Sequence, residues 1–386
     1  MKEKAQVLKR NNRVLIIALF VMMSFIALYA GHFLLEKTNR NENRIKGVEP
    51  PFPITYKHLN TVIHGNPQVI NILEVNPSDR RVNIKPVLSF NSVFGFEKLS
   101  AIVTRSNAYA ATNAGFFYRY GNPAGMVIID GKILTLPTGK NPIFMLENGK
   151  AELKQITTDL WLTQGPDRIK IDSMNSLSPQ KGIILYTKEF GSDNRAKSEN
   201  ISVVISDKKV VSIDKYPGTV KIPPDSMVVT LYKPYKFEIQ QLPFTVGDRI
   251  ELAYKPEVGI GMNAYECGSW IVQEGKIVIG DNDPWVGVLT NRDPRTVIGL
   301  KADGKVVMLT VDGRQPKYSA GFTGRELAEY VLSEGIINAA MLDGGASTEM
   351  IIHGEIVNKP SAGGQERPVG GGIIIQLKDD TALTSK

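Results

Sequence analysis

"KVVMLTVDGRQPKYSAGFTGRELAEYVLSEGIINAAMLDGGAST", residues 305–348, contains an apolar strand, a helix and a second apolar strand in direct succession. Thr323 and Glu326 have capping-box spacing and Gly335 supplies a stop, which predicts a helix over 323–335. A strand, helix, strand unit favours a right-handed crossover between two parallel strands. The stretch therefore predicts a β-α-β unit at the centre of the fold.

The two strands of this unit should end at the same edge of the sheet, and each is followed by Asp-Gly, at Asp312 and at Asp343. A turn is the alternative explanation, since Asp130 and Asp303 are each followed by Gly-Lys and a new apolar strand, as in a hairpin. No strand begins directly after Asp312 or Asp343. A functional role is therefore favoured for both, and they are the candidate catalytic carboxylates.

Cationic and hydrogen-bonding groups surround these two carboxylates in the sequence. Arg295 begins the strand whose hairpin partner ends at Asp312, and Arg314 follows Asp312 closely. Guanidinium groups bind phosphate or carboxylate bidentately, although for each arginine a solvated surface position is the alternative. Two glycines, whose amides can approach an anion, and two hydroxyls follow Asp343: Gly344, Gly345, Ser347 and Thr348. These residues are predicted to bind an anionic substrate.

The rest of the chain consists mainly of short β-branched runs separated by Gly and Asx turns, and most of these runs predict hairpins. Helical signals are few. We therefore predict an α+β fold: a mixed, mostly β sheet with hairpins and at least one β-α-β crossover, preceded by one transmembrane helix.

The N-terminal region differs in character from the rest. Residues 14–35 contain no charged side chain and are long enough to span a bilayer, and the first 46 residues carry nine Lys or Arg against three Glu, whereas the whole chain has a net charge of +7. We predict a cytoplasmic basic arm, a single-pass anchor and an extracytoplasmic remainder; a cleaved signal peptide is the alternative. The predicted segments are an arm at 1–13, a span at 14–35, a linker at 36–56, a domain at 57–378 and a tail at 379–386.

Several classes of function lack support in the sequence. The excess positive charge lies on the N-terminal arm, so no nucleic-acid partner is expected. Four His and one Cys without metal-ligand spacing make zinc unlikely to be bound, and no cofactor is predicted, although an oxygen-ligated Ca²⁺ or Mg²⁺ at the Asp rim is not excluded. Serine-hydrolase, NTPase and dinucleotide motifs are missing. The single Cys267 forbids an intrachain disulfide and is expected to be a buried core residue.

Six stretches of the sequence resemble, in this order, the phosphodiester glycosidase family. They are "NAGFF" at 113–117, "DPRTVIGL" at 293–300, "LTVDGRQ" at 309–315, the "GFTGRELAEYV" helix, "LDGGAST" at 342–348 and "VNKPSAGGQERPVGGGIII" at 357–375. The resemblance covers roughly residues 60–378. It implies hydrolysis of a bond between a sugar anomeric carbon and a phosphodiester, with Asn113 as a hydrogen-bonding position and Arg367 as a third phosphate binder.

Together with the predicted anchor, the resemblance implies an enzyme that acts on a glycosyl phosphodiester in an envelope polymer or exopolysaccharide. The apolar run at 14–35 predicts that this enzyme is extracytoplasmic and held at the membrane by its N-terminal helix. A carboxylate would activate water or attack the anomeric carbon, and arginines would stabilise the anionic leaving group. Two alternatives stay open. One is a non-catalytic envelope module that binds anionic glycans, and the other is metal-dependent cleavage of the phosphoryl bond.

Overall fold

The computed structural model describes residues 52–378, except for 178, 216 and 234–241. The predicted arm, membrane span and tail lie outside these residues, as does the linker up to residue 51. Within the described part of the chain, no helix combines the length and the hydropathy needed to cross a membrane. The first strand begins at Ile54, inside the last residues of the predicted linker 36–56.

The described residues are mostly strands. Their bounds are Ile54–Ile63 (β1), Asn66–Val75 (β2), Val82–Leu88 (β3), Ala110–Asn113 (β4), Val127–Ile129 (β5), Lys132–Thr135 (β6), Ile143–Glu147 (β7), Lys150–Lys154 (β8), Asp159–Gln164 (β9), Asp167–Ile171 (β10), Ser173–Met174 (β11), Ile183–Thr187 (β12), Asn200–Ser206 (β13), Lys209–Lys215 (β14), Ser226–Tyr232 (β15), Glu251–Lys255 (β16), Asn263–Glu266 (β17), Trp270–Gln273 (β18), Lys276–Ile277 (β19), Asn282–Asp283 (β20), Gly287–Val288 (β21), Arg295–Lys301 (β22), Val306–Val311 (β23), Ile336–Met341 (β24), Met350–Ile352 (β25), Glu355–Ile356 (β26) and Gly371–Leu377 (β27). The α-helices are Leu99–Ser106 (α1) and Gly324–Ser333 (α2), and the short 3₁₀ turns are Ser89–Asn91 and Gly345–Ser347.

Two sheets carry the candidate site. The larger has the strand order β1-β2-β23-β22-β24-β18-β19, and the smaller has the order β26-β25-β4-β27-β3. Their inner faces share a core that includes Leu73, Met308, Ile84 and Ile373. Burying such side chains contributes roughly 1.5–3 kcal/mol each, so the two sheets are held firmly together.

Each of the two sheets has one helix on its outer face. Leu327 and Val331 of α2 pack on the seven-stranded sheet, and Leu99 and Ile102 of α1 pack on the five-stranded sheet. The arrangement is therefore helix, sheet, sheet, helix, and the described part of the chain is α+β and rich in sheet, as predicted.

The predicted crossover is confirmed. Strands β23 and β24 are both antiparallel to β22, so they are parallel to each other with β22 between them, and α2 connects them. The predicted capping box is also present, because the Thr323 hydroxyl accepts from the Glu326 amide and the Glu326 carboxylate accepts from the Thr323 amide. The C-terminal ends of β23 and β24 consequently lie at one edge of the sheet.

The hairpins predicted at Asp130 and Asp303 are confirmed, since they connect β5 to β6 and β22 to β23. Asp130 and Gly131 both have positive φ, 50° and 81°, which is the geometry of a tight two-residue hairpin turn. Cys267 is buried, as expected.

The segment between β8 and β17 builds a second lobe. It contains a three-stranded sheet, β10-β9-β16, and a five-stranded sheet, β11-β12-β15-β13-β14. These sheets share an apolar core with the outer side of a further five-stranded sheet, β6-β5-β17-β7-β8. A two-stranded ladder, β20-β21, completes the sheets of the described residues.

Candidate active site at the junction of two sheets

Asp343 lies where the ends of β24 and β4 meet. Its amide donates to the Ala114 carbonyl at 3.1 Å, and its carbonyl accepts from Asn113 Nδ2 at 2.6 Å. Burial raises the pKa of the Asp343 carboxyl group, while Ser347, the positive charge of Arg367 and the Gly344 amide oppose that rise. The sheet junction therefore holds a largely desolvated carboxyl group close to a cation.

Asn113 fixes this junction. It is completely buried, and its Nδ2 donates to the carbonyls of Asp343 and Ala114. Its Oδ1 accepts from Thr296 Oγ1 at 2.9 Å and from the Glu349 amide at 3.2 Å. Asn113 was predicted to bind substrate, but these contacts use its amide group within the protein, so its place in the structure is that of a positioning residue for Asp343.

Asp312 is at the same rim but has different partners. It is 1% exposed, its Oδ1 accepts from Asn358 Nδ2 at 2.9 Å, and its Oδ2 accepts from the Lys359 amide at 2.9 Å and the Tyr318 hydroxyl at 3.2 Å. Burial raises its pKa, and these three hydrogen bonds act against that rise. The structure therefore gives Asp312 a role in holding residues 358–359, and Asp343 is the candidate with fewer bonds to its carboxyl group.

Arg295 is almost fully buried on the helix-facing side of the rim. Its Nε donates to the Phe322 carbonyl and its Nη2 to the Asn291 carbonyl, both at 3.0 Å. Burial lowers its pKa, and no carboxylate within the described residues forms an ion pair with it. Nη1 has no hydrogen-bond partner in that part of the chain. A buried cation without a counter-ion is costly, which suits a site that binds an anion.

Arg314 lies over the glycine turn that follows Asp343. Its Nε donates to Asp293 Oδ1 at 2.7 Å, and its side chain is half exposed. A Cβ on Gly345 would lie 3.1 Å from Arg314 Nη2 and 3.3 Å from Nη1, so the absence of a side chain at 345 admits the guanidinium. Gly345 also has a φ of +59°, which favours glycine.

Of the two glycines after Asp343, Gly345 has a backbone amide that is already hydrogen-bonded. That amide donates to the Pro294 carbonyl at 2.9 Å, and a Cβ on Gly344 would lie 2.9 Å from the same oxygen. The expectation that both glycine amides face an anion is thus not met at Gly345. The glycines instead allow the turn to lie directly against Pro294 and bring Asp343 close to the Arg295 strand.

The hydroxyl groups after the glycines differ in environment. Ser347 Oγ is buried and has no partner with hydrogen-bond geometry in the described residues, although Ser347 lies close enough to lower the pKa of Asp343. Thr348 is also buried, and its Oγ1 lies 3.3 Å from Thr296 Oγ1, within hydrogen-bond distance. Ser347 therefore lies against the Asp343 carboxyl group inside the protein, whereas Thr348 lies among the hydrogen-bonding groups around Asn113.

Arg367 approaches Asp343 from the segment that precedes β27. Its guanidinium carbon lies 5.9 Å from the centroid of the Phe117 ring, and its charge lowers the pKa of Asp343. The side chain is exposed and forms no ion pair with a described residue. The structure therefore brings Arg314 and Arg367 to the Asp343 turn from two different segments.

Sequence reasoning missed a pair of carboxyl groups, Glu349 and Glu366. Glu349 is 2% exposed, its Oε1 has no hydrogen-bond partner in the described residues, and burial together with Glu366 raises its pKa to about 9. The Glu366 carboxylate accepts from the amide and the hydroxyl of Ser100, at 2.9 and 2.7 Å, and its pKa is lowered. Glu349 therefore holds a proton at neutral pH. The sequence feature that could have revealed it is an acidic residue directly before the apolar strand "MII".

Comparison with solved structures establishes the fold class. A hypothetical protein from Synechocystis aligns with a TM-score of 0.72 and 20% identity, covering 84% of this chain and 62% of that one. A putative exported protein from Burkholderia pseudomallei aligns with a TM-score of 0.64 and 20% identity, covering 81% and 74%. At this level of identity, the likeness shows a shared fold.

The sequence matches a family model over part of its length. Residues 199–376 match the model of the phosphodiester glycosidase family. The predicted site residues all lie in that range except Asn113. The resemblance found from the motifs is therefore confirmed where the motifs are densest.

Two curated relatives match shorter stretches. The SPbeta prophage-derived uncharacterized protein YomE of Bacillus subtilis is 37% identical over 118 residues, which is 31% of this chain and 18% of the relative. The N-acetylglucosamine-1-phosphodiester alpha-N-acetylglucosaminidase of Bos taurus is 28% identical over 106 residues, 24% of this chain and 19% of the relative. The match thus spans less than a fifth of the length of these relatives.

Proposed function

We propose that this domain is a hydrolase that cleaves the bond between a sugar anomeric carbon and a phosphodiester. The observation that carries the proposal is the placement of Asp343: a largely desolvated carboxyl group at the junction of two sheets, with Arg367 and Arg314 at the same turn. The match to the phosphodiester glycosidase family model over residues 199–376 supports it. The name of the bovine relative describes a glycosidase that acts on a phosphodiester of N-acetylglucosamine.

The leaving group explains why arginines accompany the carboxylate. When the glycosidic bond breaks, the phosphate departs as a monoester that is already anionic. Guanidinium groups can stabilise its growing charge, so less protonation is needed than for an alcohol. Arg314 Nη1 and Nη2 have no hydrogen-bond partner among the described residues and the side chain is half exposed, so these donors are available to phosphate oxygens. The buried Arg295 would add its positive charge from behind the rim.

Asp343 would then activate water or attack the anomeric carbon directly. A desolvated carboxylate is a stronger base and nucleophile than one in water, because burial disfavours its charged form. Asn113 holds the Asp343 backbone at 2.6 Å, which fixes the direction from which the carboxyl group approaches the sugar. Asp312 would act indirectly, by holding residues 358–359 in place.

The cellular setting is also part of the proposal. The apolar run at 14–35 supports a membrane anchor with the domain on the extracytoplasmic side, where an envelope polymer or exopolysaccharide would be the substrate. This placement rests on the sequence alone.

The test is the identity of the product. The full chain is incubated with a model sugar-1-phosphodiester, and free reducing sugar is measured together with sugar phosphate. Glycosidic cleavage releases the reducing sugar and a phosphate monoester. Release of sugar phosphate, with loss of activity in EDTA, would instead indicate metal-dependent cleavage of the phosphoryl bond; in the described residues, no group of three or more His, Cys, Asp or Glu is arranged to hold a metal ion.

Asp343→Asn is the matched variant, because Asn keeps the shape and removes the charge that burial disfavours. We expect turnover to fall by about 10²–10⁴-fold while the melting temperature is unchanged or higher. Full activity in the folded variant would remove Asp343 from the mechanism. A wild-type protein that binds anionic glycans without turnover, and loses binding in Arg314→Ala, would be the non-catalytic module.

A further inference from the structure

An aromatic turn lies next to the candidate active site, and the proposed reaction does not use it. The turn comprises residues 117–123, "FYRYGNP", which directly follow the 113–116 segment at Asp343. Tyr118 and Tyr120 are 49% and 50% exposed. Two half-exposed aromatic rings on one turn form an apolar patch, and such patches rimmed by polar groups mark ligand-binding grooves.

The turn is held firmly in place. Phe117 and Pro123 form a β-bridge, and the Tyr118 amide donates to the Asn122 carbonyl at 2.8 Å. The Gly95 amide donates to the Tyr120 carbonyl at 3.0 Å, and a Cβ on Gly121 would lie 1.9 Å from the Gly95 carbonyl oxygen. The turn is thus preorganised, so a ligand would not need to order it.

The ring of Tyr118 has support from behind. It contacts Trp285 edge to face, with centroids 5.3 Å apart, and Trp285 stacks on Phe116 at 5.8 Å. Because Tyr118 packs against this aromatic stack, the orientation of its ring is restrained.

A cleft of about 530 Å³ lies along the turn. Residues 118–125 form one wall, and residues 172–177, which include β11, form another with Thr135, Leu136 and Pro137. The volume is within the ordinary range for small-molecule sites. The cleft therefore lies between the core of the domain and the inserted lobe.

The polar groups at the cleft can form new hydrogen bonds. The Arg119 guanidinium lies 5.5 Å above the Tyr120 ring and forms no ion pair with a described residue. The side-chain amide of Asn122 has no hydrogen-bond partner in the same part of the chain. Aromatic faces beside a free amide and a guanidinium match a sugar ring, which has apolar C–H faces and a rim of hydroxyl groups.

Phe117 connects this cleft to the candidate active site. Its ring lies 5.9 Å from the Arg367 guanidinium carbon, and Arg367 acts on the charge of Asp343. The geometry points to a carbohydrate subsite in this cleft, which binds a further sugar unit of the substrate beyond the phosphodiester at Asp343. This inference rests on the proposed glycosidase function, and it makes the substrate an extended glycan.

The experiment measures binding without turnover. The full chain with Asp343→Asn is titrated calorimetrically with three phosphate-free tetrasaccharides: chitotetraose, cellotetraose and maltotetraose. We expect one of them to bind, and we expect Tyr120→Ala and Arg119→Ala, each added to Asp343→Asn, to weaken that binding about tenfold.

Trp161→Ala and Arg168→Ala are matched controls. Arg168 lies 5.4 Å above the Trp161 ring in the β9-β10 sheet, so the pair has the same chemistry away from the cleft. Binding should be unchanged in both controls. The subsite would be overturned if none of the three glycans bound, or if the control variants weakened glycan binding as much as Tyr120→Ala and Arg119→Ala do. It would also be overturned if uridine monophosphate bound and no glycan did.

The wild-type enzyme separates this inference from the proposed function. If the subsite is real, Tyr120→Ala raises KM for a long glycan phosphodiester and leaves kcat/KM for a methyl phosphodiester of a single sugar unchanged. Hydrolysis of the short substrate with no glycan binding would leave the glycosidase function standing and remove only the subsite. Glycan binding without any hydrolysis would leave the subsite standing and remove the glycosidase function.

Discussion

Replacing Glu349 with Gln should remove a pH dependence of stability that the structure imposes. Glu349 directly precedes β25 and is 2% exposed, and burial next to Glu366 raises its pKa from an ordinary 4.5 to about 9. Glu366 keeps its negative charge, because Ser100 donates two hydrogen bonds to it. Gln at 349 would mimic the protonated acid and could still donate to Glu366.

The direction of this pH dependence of stability follows from proton binding. Between about pH 4.5 and 9 the folded protein holds a proton on Glu349 that the unfolded chain has released, so the free energy of unfolding falls as pH rises. The slope is about 1.4 kcal/mol per pH unit for one proton. From pH 5 to pH 8 the wild type should therefore lose at most about 4 kcal/mol through this group, a large part of a typical total stability. The lowered pKa of Glu366 acts below this window, because stability from a lowered pKa is lost only as pH falls.

The assay is urea unfolding of the wild type and Glu349→Gln at pH 5, 6, 7 and 8. The difference in unfolding free energy should grow in favour of the variant at each step, with the dependence on urea concentration unchanged. Glu355→Gln, at an exposed position in the adjacent β26, is the control and should follow the wild type. Equal pH slopes for the wild type and Glu349→Gln would refute the assignment of a buried proton to Glu349.

Three further predictions concern the Asp343 turn and the crossover helix. Arg314→Ala should lower kcat/KM by 100-fold or more, because its guanidinium is placed to meet the leaving phosphate, whereas Arg325→Ala, on the exposed face of α2, should have no effect in the same assay. Gly345→Ala should cost about 1 kcal/mol in urea unfolding, because φ is +59°, and should raise KM by displacing Arg314; unchanged kinetics would count against the packing described. Thr323→Ala should cost about 1 kcal/mol through loss of the α2 cap, with kcat and KM retained, as measured by thermal unfolding and steady-state kinetics.

Local sequence patterns were sufficient to predict the β-α-β unit and its rim. The capping box at Thr323, the hairpin at Asp303 and the two apolar strands are each specified by neighbouring residues. Their combination places Asp312, Asp343 and Arg295 at one edge without reference to the rest of the chain.

The partners of these residues could not be predicted, because they come from the second sheet. Asn113 and Asp343 are hydrogen-bonded across 230 residues of chain, and the contacts between Asp312 and Asn358 depend on how β25 and β26 pack. No local pattern shows that Asp312 accepts three hydrogen bonds while Asp343 accepts fewer. The same limit applies to Glu349, since an acid before a short apolar strand does not reveal which way it faces.

The long-range bond from Asn113 to Asp343 also bears on how the protein acquires activity. β4, which ends at Asn113, lies between β25 and β27 in the five-stranded sheet, and β3 pairs with β27 at its edge, so two strands from before the family match at 199–376 complete a sheet whose other three strands come from the C-terminal part of the chain. Closing so large a loop is entropically costly and slow. A nascent or truncated chain that has ordered only its C-terminal half has the motifs but not the assembled site, and the proposed activity would consequently require the complete fold.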